Sequence, residues 1–223
     1  YIFGGSNQYI KKLINLNTFN YFTNCKILKI IRNNNSVIII DKDNNQSSFS
    51  KLIFATHADQ ILSLLDRPTE KEINIFNNFK YSKNKAYLHT DKSLMPGSKL
   101  AWSSWNFLNQ SIRKKNFTLT YWMNLLQNLP SNKNYFVTVN PFKEPDYIIN
   151  QTTFEHPIYS LDTLNAQKQV MKIQGLKNTY FCGSYLGYGF HEDGIQSAIK
   201  VCKKLNTDLG QFSNTDTSRI KWN

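Results

Sequence analysis

The stretch Asn178-Thr-Tyr-Phe-Cys-Gly-Ser-Tyr-Leu-Gly-Tyr-Gly-Phe-His-Glu-Asp-Gly-Ile-Gln-Ser-Ala-Ile-Lys-Val-Cys-Lys-Lys-Leu205 decides the fold. Tyr180, Phe181 and Cys182 predict a short buried strand that stops at Gly183. Four glycines, Gly183, Gly187, Gly189 and Gly194, then fall within twelve residues. Glycine lets a backbone turn sharply and lets a flat ligand approach, because no Cβ stands in the way. Beyond them Ile195, Ala198, Ile199, Cys202 and Leu205 recur at helical spacing, with Lys200, Lys203 and Lys204 outside. Strand, glycine-rich crossing and helix N-terminus make a ligand-binding design, since the first helical turn presents amides with no helical partner. Glu192 and Asp193 in that turn would repel a pyrophosphate but suit the helix dipole, so a neutral ring whose carbonyl gains charge during reaction fits better. The residues alone equally allow an ordinary strand–turn–helix with glycines for tight packing.

Working outward, a chain of 223 residues with 40% hydrophobic and 14% aromatic residues reads as globular, with room for one large or two small domains. The first residues, Tyr1 onward, already read as interior structure, as in the later part of a longer polypeptide. No apolar run approaches the roughly 20 residues that span a membrane, and no signal peptide is visible, which predicts a cytoplasmic protein. The net charge of +12 is spread in short doublets such as Lys11–Lys12, Lys114–Lys115 and Lys203–Lys204. A nucleic-acid face clusters its charge, so no nucleic-acid partner is expected. Cys25, Cys182 and Cys202 sit in apolar segments and read as free thiols in a reducing compartment, with no metal site.

In chain order, Ser6 caps a helix near 7–16 whose buried face is Ile10, Leu13 and Ile14. Runs 25–31, 37–40 and 49–55 then predict a β-meander, with the Asn-rich stretches 33–35 and 43–45 as turns. A helical stretch runs to Leu65, and Pro68 with Glu70-Lys71-Glu72 marks a boundary before a helix to about Phe79. From Tyr81 to Tyr159, runs 85–90, 101–108, 117–123, 135–140 and 147–154 predict a second, largely antiparallel sheet. A helix near 161–173 leads back to the stretch quoted first. The expected division is 1–65 and 161–205 in one domain, 66–160 in another, and a loosely ordered polar tail over 206–223, with a ligand cleft between the domains.

Phe3-Gly4-Gly5-Ser6, the meander ending in Ile53-Phe54-Ala55, and Gly189-Phe190-His191-Glu192 occur in an order that resembles the C-terminal half of the flavin-containing amine oxidoreductases. Within that family, Ala55-Thr56-His57-Ala58-Asp59-Gln60, Leu88-His89-Thr90-Asp91, Thr120-Tyr121-Trp122-Met123-Asn124 and Gly187-Tyr188-Gly189-Phe190-His191-Glu192-Asp193-Gly194 are similar to a bacterial-type branch of predicted NAD/FAD-binding proteins. The resemblance reaches from the start to about Leu205. It implies an α/β (α+β) fold: part of an FAD-binding, Rossmann-like domain with a meander, plus a substrate domain on a mixed, largely antiparallel sheet.

The Gly-x-Gly-x-x-Gly turn that holds the FAD pyrophosphate in such proteins does not occur in this sequence, since Gly187-Tyr188-Gly189 lacks the third glycine. The resemblance therefore implies a missing N-terminal FAD-binding half. It places His191, Glu192 and Gly194 at the flavin ring, Gly183 and Ser184 at the ribityl chain, and Lys26 at the adenine. Many relatives carry an acidic residue where Ser184 stands. Lys85 falls where the amine-oxidase branch keeps a catalytic lysine, or is a solvated strand-edge lysine. His57, after the strand at the flavin edge, is a proton relay or a structural histidine. Tyr185, Tyr188, Trp102, Trp105, Tyr121 and Trp122 are offered as walls of an apolar pocket or as core.

Together these predict an FAD-dependent oxidoreductase moving hydride between an organic substrate and flavin N5. Relatives of the branch occur with fatty-acid cyclopropane synthases, which hints at a lipid acyl substrate, and the basic charge would then help at an anionic membrane surface. The alternatives are an amine oxidase acting on a small amine and a non-catalytic fragment that needs a partner chain.

Overall fold

The computed structural model describes residues 5–16, 18–109, 117–207, 209–212, 214, 216–218 and 220. They fall into two units: Tyr21–Tyr81 with Pro157–Asn223, and residues up to Asn20 with Ser82–His156.

In the first unit, β1 (Ile27–Arg32), β2 (Val37–Asp41) and β3 (Gln46–Phe49) form an antiparallel meander. The Asp41 carboxylate closes one turn by accepting from the amides of Asp43 and Asn45, each at 2.9 Å, while Asn44 takes the left-handed conformation. The third strand is thus Gln46–Phe49, not the run 49–55 expected from sequence. All four of its residues are exposed, and its one apolar residue, Phe49, adjoins the apolar run that follows. The apolar run instead contributes β4 (Leu52–Phe54), which leaves the meander and pairs in parallel with β10 (Thr179–Phe181).

Helices α2 (Gln60–Leu64), α3 (Glu70–Phe76), α5 (Leu161–Lys172) and α6 (His191–Lys204) complete this unit. The sequence suggests a boundary after residue 65, yet α3 packs on α5 and Thr163 Oγ1 donates to the carbonyl of Asn78 at 3.0 Å. Phe54 and Phe181 stack at 5.7 Å and 2°, with Phe76 tilted against Phe181 at 4.9 Å. Ile30, Ile61, Val170 and Ile220 surround them. Ile220 is a correction to the expected loose tail: it is 2% exposed, and the Lys200 ammonium donates to its carbonyl.

A buried ion pair ties the unit together. Arg32, whose side chain is 2% exposed, meets Glu72, at 0%, through Nη1–Oε1 at 2.5 Å and Nη2–Oε2 at 2.8 Å. Glu72 also accepts from the Thr69 amide and hydroxyl, and Thr69 Oγ1 accepts from the Glu72 amide, which caps α3. Burial works against ionisation of Glu72, but Arg32 and Thr69 outweigh it and hold its carboxyl below the usual range.

The second unit carries β5 (Lys80–His89), β6 (Trp105–Asn109), β7 (Phe117–Trp122), β8 (Phe136–Val139) and β9 (Ile148–Ile158), in the order β6-β7-β8-β5-β9. The pairs β6–β7, β7–β8 and β5–β8 are antiparallel, as the sequence predicts. A short helix, α4 (Met123–Leu126), ends β7 and carries no signal that sequence reading found. Helix α1 (Asn7–Asn15) forms where expected, but Ser6 makes no side-chain cap and no α1 residue is buried. Ile10 and Leu13, expected inside, are 42% and 48% exposed. Among the described residues no helix is long and apolar enough to cross a membrane.

Register fixes which side chains share a face of this sheet. Asn106, Thr120, Thr138 and Tyr87 lie in one row across four strands, and all are buried. His89 lies beside them, 0% exposed. The Asp91 amide donates to His89 Nδ1 at 3.2 Å, which leaves Nε2 to donate to Thr138 Oγ1 at 2.7 Å; Thr138 and Thr120 hydroxyls meet at 2.9 Å. Burial lowers the His89 pKa against the opposing pull of Asp91.

Arg32→Ala or Glu72→Ala should cost about 3–5 kcal/mol, because either leaves a lone buried charge; urea unfolding measures this. His89 binds its proton more weakly folded than unfolded. Its contribution to stability is therefore present above the unfolded pKa, about 6.5, and is lost as pH falls from there through the lower folded pKa. Melting temperature should drop between pH 7 and 5 more steeply in the wild type than in His89→Gln.

Candidate functional site

Two parallel strands that end together leave a crevice beyond their carboxyl ends, where open α/β sheets bind ligands. β4 and β10 do this here, with Phe54 opposite Phe181 and the Cys182 amide bonded to the Phe54 carbonyl at 2.9 Å. The segments that follow them line a cavity of about 320 Å³ with Ala55, Thr56, His57, Gly183, Ser184 and Tyr185, and Tyr81 and Pro157 close its sides. His57 stacks on Tyr81 at 4.6 Å and 12°. Tyr81 Oη accepts from the Ala58 amide at 3.0 Å, which fixes that ring.

The loop from Gly183 to α6 is pinned by buried polar groups. Ser197 Oγ accepts from the Gly183 amide at 2.9 Å and donates to the Gly194 carbonyl at 2.7 Å, so the start of α6 lies against the end of β10. Asp193 is 0% exposed, and its Oδ2 accepts from the amides of Tyr188 at 3.0 Å and Phe190 at 2.9 Å. This carboxylate folds the loop back on the helix by holding the amides of two residues that precede it. The glycines follow from the same packing. A Cβ on Gly187 would lie 2.5 Å from the Asp193 carboxyl carbon, and Gly183, at φ +154, would put one 2.6 Å from the Tyr185 ring. Gln167 Nε2 donates to the carbonyls of Tyr185 at 2.9 Å and Gly187 at 2.7 Å, holding the loop from the α5 side.

Gly183, Ser184 and Gly194 are thus brought together; a Cβ on Gly194 would lie 3.8 Å from the Ser184 amide nitrogen. His191 and Glu192 open α6 as exposed residues, and Glu192 Oε1 accepts from Gln196 Nε2 at 2.7 Å. Lys26 lies apart, exposed ahead of β1, its carbonyl accepting from the Lys42 amide at 2.8 Å. Lys85 belongs to the second unit. It is exposed on β5, its backbone paired with Asn140, and it lines a separate cavity of about 210 Å³ with Tyr87, Gln151, Thr152 and Thr153.

Of the aromatic residues offered as pocket walls, Tyr185 reaches the cavity, while Tyr188 is exposed and Trp102, Trp105, Tyr121 and Trp122 lie in the second unit. Burial of Cys182, reinforced by Cys202, pushes its thiol up to about 11, so Cys182 stays protonated and is no nucleophile. Burial, Asp193 and Tyr81 push the Tyr159 phenol up to about 12. Sequence reading missed Tyr81, Tyr159, Gln167 and Ser197, which come from distant segments or from polar positions on α6. Burial on α6 follows Asp193, Gln196 and Ser197, and Ile195, expected inside, is 56% exposed.

Three solved structures share this fold. A fatty acid isomerase from P. acnes matches with TM-score 0.67 at 14% identity, over 90% of this chain and 52% of its own. Wild-type putrescine oxidase bound to putrescine matches with TM-score 0.63 at 9%, over 91% and 53%. Reduced UDP-galactopyranose mutase matches with TM-score 0.62 at 11%, over 96% and 53%. The chain spans about half the length of these structures. No protein-family profile and no curated protein sequence matches it.

Gly187→Ala should cost about 1–3 kcal/mol by forcing the Asp193 carboxylate aside, whereas Gly97→Ala, with open space around it, should be close to neutral. Thermal unfolding of the two variants checks the contrast.

Proposed function

We propose that the chain is the C-terminal half of an FAD-dependent oxidoreductase and that the crevice beyond β4 and β10 takes the flavin. One observation carries the reading. Ser197 of α6 accepts from the Gly183 amide and donates to the Gly183 carbonyl, which sets an opening helix, a glycine turn and a cavity side by side. The resemblance to the amine oxidoreductases and the shared fold support it.

The residues present fit such a group. Gly183 and Ser184 border the cavity, with the Tyr185 ring in the space a Cβ on Gly183 would need, and the His191 and Glu192 amides open α6, while the Gly194 amide donates to the Phe190 carbonyl at 3.2 Å. A bound flavin supplies two-electron redox chemistry. The positive end of α6 stabilises negative charge that develops against it. Asp193 keeps that end in place by spending its oxygen on Tyr188 and Phe190, away from a ring. His57, held flat on Tyr81, is placed to hand a proton to a group in the cavity. The Tyr159 phenol, kept neutral by burial, Asp193 and Tyr81, packs on the loop at Gly189, where a Cβ would lie 2.9 Å from its oxygen.

We take a lipid acyl substrate as the first reading and a small amine as the second; the fold is shared with a fatty acid isomerase and with putrescine oxidase alike. Lys26 is the residue we assign to the adenine and Lys85 the catalytic candidate. The pyrophosphate needs a dinucleotide-binding turn, which this sequence lacks. We take it to come from an N-terminal half.

Titration with FAD, followed by quenching of flavin fluorescence and by visible absorbance, tests this. We expect weak or no binding by the chain alone and stoichiometric yellow complex when an upstream dinucleotide-binding segment is joined to it. Gly194→Leu in the joined protein should abolish the colour. Retention of full FAD affinity by that variant would sink the site.

A further inference from the structure

The five-stranded sheet of the second unit buries a largely polar face. On that face the sheet carries Asn106, Thr118, Thr120, Thr138 and His89 beside Phe136 and Tyr87, all under 5% exposed. Its other face carries two rows of four apolar side chains: Trp105, Tyr121, Val137 and Leu88, then Phe107, Leu119, Val139 and Ala86. Neither row contains a charge. Trp105 and Phe107 are each 59% exposed, and Leu119, Tyr121, Val137, Val139 and Leu88 are partly exposed. Neighbouring strands lie about 4.8 Å apart, so each row runs about 14 Å across the sheet, with about 7 Å between rows. A sheet face of this composition is stable only when another layer covers it.

We propose that this face is the docking surface for a layer of secondary structure from the N-terminal half that the proposed function calls for. The inference rests on that incompleteness, though not on the flavin. Two observations select this occupant. The chain covers only 52–53% of the solved structures that share its fold, and the half of those structures that it does not match is of comparable length. The cavity on this face, lined by Ala86, Leu88, Val137 and Phe154, holds only about 170 Å³, too shallow to bury a long acyl chain within the sheet. A flat, uncharged area suits the apolar stripe of one or two helices. The adjacent edge strand points the same way: every residue from Ile148 to His156 in β9 is exposed, including Ile149 and Phe154 at 52% each.

Oxidative footprinting of Trp105, done without FAD, tests the proposal. The chain is produced alone and together with the polypeptide translated from the reading frame directly upstream of Tyr1. We expect ready oxidation of Trp105 and binding of a hydrophobic dye in the chain alone. With the upstream polypeptide we expect a one-to-one complex, severalfold protection of Trp105 and loss of dye binding. Trp105→Glu, or the milder Val137→Thr should the first fail to fold, should weaken the complex, while Lys133→Glu leaves it intact. Protection of Trp105 in the chain alone, whether as a monomer or as a dimer broken by Trp105→Glu, would overturn the proposal. So would protection by oleate without the polypeptide, or a complex that leaves Trp105 as reactive as before. A covered face in a complex that cannot bind FAD would refute the flavin reading and leave this one standing.

Discussion

The Arg32–Glu72 pair sets the geometry on which the candidate site depends. Arg32 ends β1, Glu72 lies in the first turn of α3, and Arg32 Nη1 also reaches Thr179 Oγ1 at 3.4 Å, where β10 begins. Three elements from distant parts of the sequence therefore share one guanidinium. A buried ion pair contributes little net stability once desolvation is counted, but it penalises every arrangement that separates its members. Glu72 strengthens that penalty because its two oxygens are saturated by Arg32 and Thr69. Fixing the start of β10 against β1 fixes where β10 ends two residues later, and hence where the Gly183 turn opens beside α6.

The second unit shows the same preference for buried polar specificity. A line of bonded groups running from Asp91 through His89 and Thr138 to Thr120 crosses three strands in register. Slipping any one strand by a residue would turn its threonine outward and leave its partners unsatisfied in the interior. Phe136 and Tyr87 share this buried face, while the two apolar rows are on the opposite one. Hydrogen bonds thus add to apolar packing in specifying register here.

Most elements were legible because their periodicity is strong. The strands of the second sheet alternate cleanly, and α5 buries Ala166, Val170 and Met171 at helical spacing. The failures have particular causes. β3, Gln-Ser-Ser-Phe, is an exposed edge whose one apolar residue, Phe49, adjoins the apolar run of β4, so the sequence pattern points to β4 as the third meander strand. The face of α6 was misread because a helix that buries Asp193, Gln196 and Ser197 defies a hydrophobic criterion. Within the site, glycine spacing pointed to Gly183, Gly187 and Gly194, while Tyr81 and Tyr159 arrive only through tertiary contact. The largely polar buried face of the second sheet was legible in principle from Thr118, Thr120 and Thr138, but the alternation does not say which face is inside.

Gln174 closes one side of β10 in an unusual way. Alternation turns the Phe181 amide and carbonyl away from β4, and the Gln174 carboxamide meets both, accepting at 2.8 Å and donating at 2.6 Å. One side chain thus impersonates a neighbouring strand. Lengthening the parallel pair on that side is a substitution reaction: two bonds must be surrendered before their replacements form. Such an exchange changes the hydrogen-bond tally by nothing, so its driving force comes from apolar contact alone, and its speed from how readily a glutamine lets go.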